Sequence, residues 1–282
     1  MSSFIFIGGD KRMVYAAERL GRAHLCGFGR LSPCDGIYAD GTPFDYAVLP
    51  PQKSPDGVNI PCPFSDILIP YSTLGTVVRE RGTVFTGNVC PELERVCSEK
   101  KLTIVNYMER EEFAVRNAVL TAEGVLPVII NELPFAVYGT KMLITGFGRI
   151  AGILAGYLVK MGTRVTAACR RPEARAWAEI QGCTAVDITD KNEFLTEISS
   201  SAVIINTVPA DIFGDEEITA MGNGALYIEL ASSDAISGSV PENVKVITAR
   251  GIPGKVSPVT AGEIIADTII AVLGEERGKQ YE

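Results

Sequence analysis

Histidine is almost missing from this chain: His24 is the only one in 282 residues, and tryptophan also occurs once. One imidazole cannot build a histidine-rich metal centre, so no metal ligands are assigned. The same scarcity argues against the histidine and carboxylate pair that serves 2-hydroxyacid dehydrogenases as acid and base. His24 opens an apolar strand, where a core or edge role suits it. The seven cysteines, Cys26, Cys34, Cys62, Cys90, Cys97, Cys169 and Cys183, are odd in number and never form a CxxC pair. Reduced thiols in a cytoplasm fit this better than a disulfide or zinc scaffold, and nothing near Cys169 or Cys183 marks an activated nucleophile. Basic clusters are lacking too. With 26 Lys and Arg against 34 Asp and Glu the net charge is -8, so nucleic acid is not an expected partner. No uninterrupted apolar run approaches the roughly 18 residues of a bilayer span, the longest helical candidate being broken by Arg116, Asn117 and Glu123. The opening MSSFIFIGGD lacks the basic start and long apolar core of a signal peptide, which points to the cytoplasm and no membrane.

What is present is ordinary globular material, 46% hydrophobic and 21% charged, in a chain longer than one typical domain. Short β-branched runs alternate with amphipathic segments throughout, the pattern of βαβ units around parallel sheets. In the first part strands are predicted near Phe4–Ile7, Leu25–Phe28, Tyr46–Leu49, Thr83–Phe85 and Leu102–Val105, with helices after Asp10, Pro70 and Cys90. Between Leu31 and Ser65 the density of Pro and Gly, including Pro33 and Gly36, predicts loop-rich surface. REEFAVRNAVLTAEGVLPVIINEL keeps helical spacing and connects the halves, with Gly124 and Pro127 expected to kink or divide it. A regular series follows, with strands near Met142–Thr145, Arg164–Ala168, Thr184–Asp187, Val203–Thr207, Leu226–Leu230 and Val244–Ala249 and a last helix over Val259–Gly274.

The fold expected is α/β with two Rossmann-like domains. Residues 1–115 form an N-terminal domain of substrate or catalytic type, completed by a C-terminal helix in 258–282 that packs back on it. Residues 116–257, including the connecting helix, form a doubly wound parallel-sheet domain that binds a dinucleotide.

The strongest motif is KMLITGFGRIAGILAGYLVKMG, an apolar strand running through Gly146, Phe147 and Gly148 into a helix closed by Gly162. Gly146 permits the tight turn, Gly148 lets the backbone approach a pyrophosphate, and Ala151 with Gly152 allows helix and strand to pack closely. The amides of Arg149 and Ile150 then open a helix whose positive end suits phosphate. Where an NAD enzyme usually carries an acid for the ribose hydroxyls, this chain has Arg170 and Arg171, which favours NADP. Thr207, Val208 and Pro209 in INTVP, and Ala231 after the next strand, complete the expected cofactor contacts. On the substrate side, the ends of strands and the loop TARGIPGKVSP single out Asp10, Arg12, Ser232, Ser233 and Lys255, of which Lys255 is suited to pair a carboxylate. A second dinucleotide site at Gly8 and Gly9 is the weaker idea, since the doublet lacks a third small residue and reads better as a βα turn capped by Asp10.

Several separated phrases resemble the dipicolinate synthase A family, the NADP-binding subunits of that enzyme, and occur in the family's order: IGGD with Arg12, MEREEFAVRNAVLTAEG, GFGR, INTVP, LAS at Leu230–Ser232, and GIPGKVSPVTAG. The resemblance implies an NADP-dependent oxidation, during sporulation in the mother cell, of a dihydro- or tetrahydrodipicolinate-type dicarboxylate from the lysine pathway to pyridine-2,6-dicarboxylate. It implies dipicolinate synthase B, the flavoprotein-like subunit, as partner. Departures occur at Ser233–Ile236, where a proline and paired glycines are usual, and at Leu120 and Arg250, where proline is expected. Two other readings stay open: an NADP-linked dehydrogenase of another small carboxylate, with the architecture of alanine dehydrogenase or adenosylhomocysteine hydrolase, and a non-catalytic cofactor-binding subunit. A homo-oligomer is expected from the frequency of such assemblies.

Overall fold

A computed structural model of the chain describes residues 3–21, 23–31 and 41–279, with backbone only over 276–279. Pro33, Cys34 and Gly36 of the predicted loop lie outside these residues. The chain divides into two compact units, Met1–Asn117 with Gly254–Glu282, and Ala118–Pro253.

The first unit runs β1 (Phe4–Ile7), α1 (Lys11–Leu20), β2 (Ala23–Cys26), β3 (Phe44–Val48), β4 (Asn59–Ile60), β5 (Ile69–Pro70), α2 (Leu74–Val77), β6 (Val78–Thr86), α3 (Pro91–Glu99) and β7 (Thr103–Asn106). Five strands pair in parallel in the order β2-β1-β3-β6-β7, while β4 and β5 form a small antiparallel ribbon. β1 is apolar at every position and buried throughout, as a central parallel strand must be when both faces are covered. His24 is exposed on the edge strand β2, its ring 5.0 Å from that of Phe44.

The helix α4 (Glu111–Glu132) crosses from one unit to the other, and Pro127 sits inside it without ending it. Of the expected kink or division at Gly124 and Pro127, the division does not occur: Ala122, Val125 and Ile129 are fully buried in the second unit's core, and that burial outweighs the backbone hydrogen bond a proline forfeits. By length and a mean hydropathy of 1.5, α4 matches a membrane span, yet 44% of that window is buried inside the protein, as in many core helices.

The second unit continues with β8 (Lys141–Thr145), α5 (Arg149–Lys160), β9 (Arg164–Cys169), α6 (Pro172–Ile180), β10 (Thr184–Asp187), α7 (Lys191–Ser200), β11 (Val203–Asn206), α8 (Asp215–Ala220), β12 (Leu226–Glu229) and β13 (Lys245–Thr248). Its six strands are all parallel in the order β10-β9-β8-β11-β12-β13, the doubly wound arrangement with its switch point between β8 and β11. The amide of Gly162 bonds the carbonyl of Val159 at 2.9 Å and that of Thr163 bonds Leu158 at 3.2 Å, so α5 ends in a Schellman turn that needs the left-handed φ of +78° at this glycine.

After β13 come α9 (Ile252–Val256) and α10 (Pro258–Lys279). α10 packs back along α1 within the first unit. At Gly262 the approach leaves no room for a side chain, since a Cβ would stand 2.5 Å from the carbonyl oxygen of Arg12.

Candidate functional site

The carboxyl ends of β8, β9 and β11 open onto a cavity of about 510 Å³. Gly146, Phe147, Gly148, Arg170, Arg171, Thr207, Val208 and Pro209 all line it, together with Ala168, Cys169, Ala174, Ile188, Ala210 and Ile212. Its floor is the turn between β8 and α5. Gly146 has a φ of +80°, and a Cβ there would stand 2.8 Å from Thr207 Oγ1 and from Val208 Cγ2. Gly148 differs: a Cβ would meet nothing within 4 Å, so the open space lies on the cavity side, where a ligand can approach the backbone. It is also the N-cap of α5 with no side-chain cap, which leaves the helix's first amides for an anion. Arg149 is exposed and Ile150 half-buried at the head of α5, and neither side chain lines the cavity.

No Asp or Glu is among the lining residues. Arg170 is exposed at the end of β9, with no protein partner for its guanidinium among the described residues. Arg171 reaches Glu173 at 3.2 Å, both side chains being well exposed. The residue that shapes this edge is one the sequence reading missed. Arg175 Nη1 donates to the carbonyls of Cys169 and Arg170, each at 2.9 Å, and contacts Asp187 at the end of β10 at 2.8 Å. The hydroxyl and amide of Thr189, and then Arg175, hold the Asp187 carboxyl below the usual range. An arginine one turn into a helix is common on exposed faces, and only the fold shows it folded back over β9. The Cys169 thiol is buried and pushed up to about 11 by that burial, so it lines the cavity as an inert group.

Thr207 commits its hydroxyl to the Thr145 carbonyl at 2.7 Å, so it shapes the wall. Ala231 is buried just beyond β12 and outside the cavity lining. Ser232 and Ser233 follow it in an exposed loop of the second unit.

Asp10, Arg12 and Lys255 belong to the first unit. Asp10 caps α1 by accepting from the Arg12 amide at 3.0 Å, and the Arg12 guanidinium returns to it through Nε at 2.9 Å and Nη2 at 2.8 Å. Gln52 Nε2 adds a 2.6 Å bond to the same carboxylate. Arg12 is 8% exposed, and Gly254 lies over the pair so closely that a Cβ would stand 2.5 Å from Asp10 Oδ2. Lys255 is exposed in the last turn of α9. At Gly8 and Gly9 both φ values are positive and the Gly9 amide donates to Pro61 O at 2.7 Å. Pro50, Pro61 and Cys62 fill the space above that doublet, so it is a βα turn without room for a dinucleotide.

A doubly wound parallel sheet with a glycine turn feeding a helix at its switch point has the architecture of a Rossmann-like unit, and the chain is an α/β protein of two Rossmann-like domains. Its sequence is 26% identical over 202 residues to dipicolinate synthase A of Bacillus subtilis (strain 168), covering 70% of this chain and 67% of that protein. The crystal structure of dipicolinate synthase A from Bacillus halodurans matches with a TM-score of 0.83 at 24% identity, covering 96% of this chain and 97% of the other. A transhydrogenase from Sinorhizobium meliloti matches at a TM-score of 0.68 and 15% identity, covering 96% and 92%. No protein-family pattern matches the sequence. The resemblance to dipicolinate synthase A read from separated phrases therefore extends to the fold of almost the whole chain.

Proposed function

We propose that this chain is an NADP-dependent oxidoreductase subunit with the role of dipicolinate synthase A. The observation that carries the cofactor reading is the cavity itself: an open glycine turn at a helix head, no carboxylate in its lining, and the unpartnered Arg170 at the end of β9. Gly146, Gly148 and the amides of Arg149 and Ile150 would hold the pyrophosphate, and Arg170 with Arg171 the additional phosphate of NADP. Phe147, Thr207, Val208 and Pro209 supply the walls, and Ala231 the neighbouring strand end. When bound, the nicotinamide accepts a hydride.

The substrate reading rests on the similarity to dipicolinate synthase A. A dihydro- or tetrahydrodipicolinate-type ring gains aromatic stabilisation on oxidation, so the protein's task is mainly to align the ring and hold two carboxylates. Arg12, through the Nη1 that Asp10 leaves free, and Lys255 are the cations assigned to this, with Asp10 setting the Arg12 rotamer and Ser232 and Ser233 offering hydroxyls. The flavoprotein-like dipicolinate synthase B is the proposed partner. The assignment includes the cytoplasm of a sporulating mother cell and a homo-oligomeric state. In domain terms, 1–115 with 258–282 handles substrate and 116–257 the cofactor.

Formation of reduced nicotinamide from enzymatically generated dihydrodipicolinate, with and without the flavoprotein-like partner, tests this. Activity with NADP in either arm supports it. Tight NADP binding with no turnover in both arms would move the chain to another small carboxylate, the alternative favoured by the departures at Ser233–Ile236.

A further inference from the structure

Three adjacent strands of the second unit end in a polar residue, and the parallel register sets Thr145, Asn206 and Glu229 side by side on one rung. All three are buried, Glu229 to 2% exposure. Glu229 Oε1 accepts from Asn206 Nδ2 at 2.8 Å and from the Ala231 amide at 2.9 Å. Its Oε2 accepts from the Tyr227 hydroxyl at 2.8 Å and from the Ala235 amide at 3.1 Å. Four donors converge on two oxygens, the pattern of an ionised carboxylate. None of the donors is a cation, so the buried charge is stabilised by neutral dipoles and its field is not cancelled by a counter-ion. Arg250 stands at the outer side of the same loop, bonded to the Ala231 carbonyl at 2.8 Å, and its charge is taken by Asp234 at 2.7 Å.

Asn206 carries this arrangement to the cavity wall. Its Oδ1 accepts from Thr145 Oγ1 at 2.6 Å and from the Val208 amide at 3.0 Å, while Nδ2 also donates to the Val208 carbonyl at 3.0 Å. Val208 lines the cavity. In a doubly wound sheet the two halves each take one nucleotide, so β8, β9 and β10, which carry the arginines, receive the adenosine half. The nicotinamide half would then lie toward the ends of β11, β12 and β13, the middle one of which carries Glu229.

The oxidised nicotinamide ring carries a positive charge and the reduced ring does not. Resting on the cofactor reading above, we propose that Glu229 is a specificity-determining residue whose buried carboxylate makes the site favour the oxidised over the reduced cofactor. That sense suits an enzyme that consumes NADP and must release NADPH.

The test is calorimetric titration of the full chain and of Glu229→Gln with NADP and with NADPH. The amide can keep its oxygen on Asn206 and Ala231 and donate to the Tyr227 hydroxyl oxygen, which leaves the Ala235 amide and the Tyr227 hydroxyl proton without their acceptor. The expected result is tighter binding of NADP than NADPH by the unmodified chain, with that ratio reduced about threefold to tenfold in the variant. Equal weakening of both forms would reduce Glu229 to a support for the Val208 and Ala231 loops and overturn the proposal. A preference of the unmodified chain for NADPH overturns it as well, and needs no variant to fold. Tyr227→Phe removes a donor but keeps the charge, and must keep the preference for NADP. Absence of all dinucleotide binding would sink the cofactor reading itself, a failure distinct from an unchanged ratio.

Discussion

Replacing Arg170 with Ser is the sharpest probe of the cofactor assignment. Its guanidinium is exposed at the cavity edge without a protein partner, so the substitution removes no contact on which folding depends, and unfolding stability should change by less than about 0.5 kcal/mol. A charge-assisted hydrogen bond to a phosphate contributes about 1 to 3 kcal/mol, and exposure puts this one toward the lower end. The dissociation constant for NADP should therefore rise about fivefold to thirtyfold, while that for NAD, which lacks the phosphate, stays within about twofold. Arg171→Ser should weaken binding less, because that side chain already shares its charge with Glu173. Calorimetric titration at low and moderate ionic strength provides the check, and the difference between variant and unmodified chain should shrink as salt screens the phosphate. A loss equal for NADP and NAD would mean that Arg170 supports the turn generally and would refute the assignment.

Other perturbations address the framework. Gly254→Ala drives a methyl into the Asp10–Arg12 pair and should lower unfolding stability by about 1 to 3 kcal/mol in urea titration. Arg12→Met strands the Asp10 carboxylate, and about 3 kcal/mol should be lost in the same assay. Gly146→Ala forces a side chain to a φ of +80° against Thr207, so both the melting temperature and dinucleotide affinity should fall. At Cys169 the folded thiol is raised to about 11, above its unfolded value, so its contribution to stability is complete at neutral pH and is lost as pH rises through that range. Alkylation of Cys169 at pH 8, followed by mass spectrometry, should accordingly run about a hundredfold slower than for an ordinary exposed thiol.

The second unit was the more legible in the sequence because its signals are local. Each strand there is an apolar run ended by a glycine, a polar residue or a proline-led helix, and β8 and β10 fall at Lys141–Thr145 and Thr184–Asp187, within a residue of the pattern. At the connector α4 local spacing gave the helix and its extent, and only the division at Pro127 did not follow, since what keeps the helix whole there is tertiary burial. The rung of Thr145, Asn206 and Glu229 was invisible for a different reason. Each residue closes an apolar strand, which is visible, but only the strand order brings β8, β11 and β12 together. Arg175 likewise looks like one more surface cation until the ends of β9 and β10 are seen beneath it.

Arg12 is where legibility and role part. A conspicuous cation after the first strand suggests a free charge waiting for a substrate carboxylate, yet two of its nitrogens are already committed to Asp10 and Gly254 closes over them. The same geometry keeps one edge in reserve, because Nη1 has no protein partner among the described residues. A guanidinium fixed by one carboxylate and free on one nitrogen is better suited to orient a second carboxylate than a mobile lysine is, since its rotamer entropy is lost in folding and not in binding. Gln52 stiffens the arrangement further by donating to Asp10, which leaves its own buried Oε1 without a partner. On the proposed reading, that unsatisfied acceptor is what it costs to hold Asp10, and through it the Arg12 guanidinium, in one geometry.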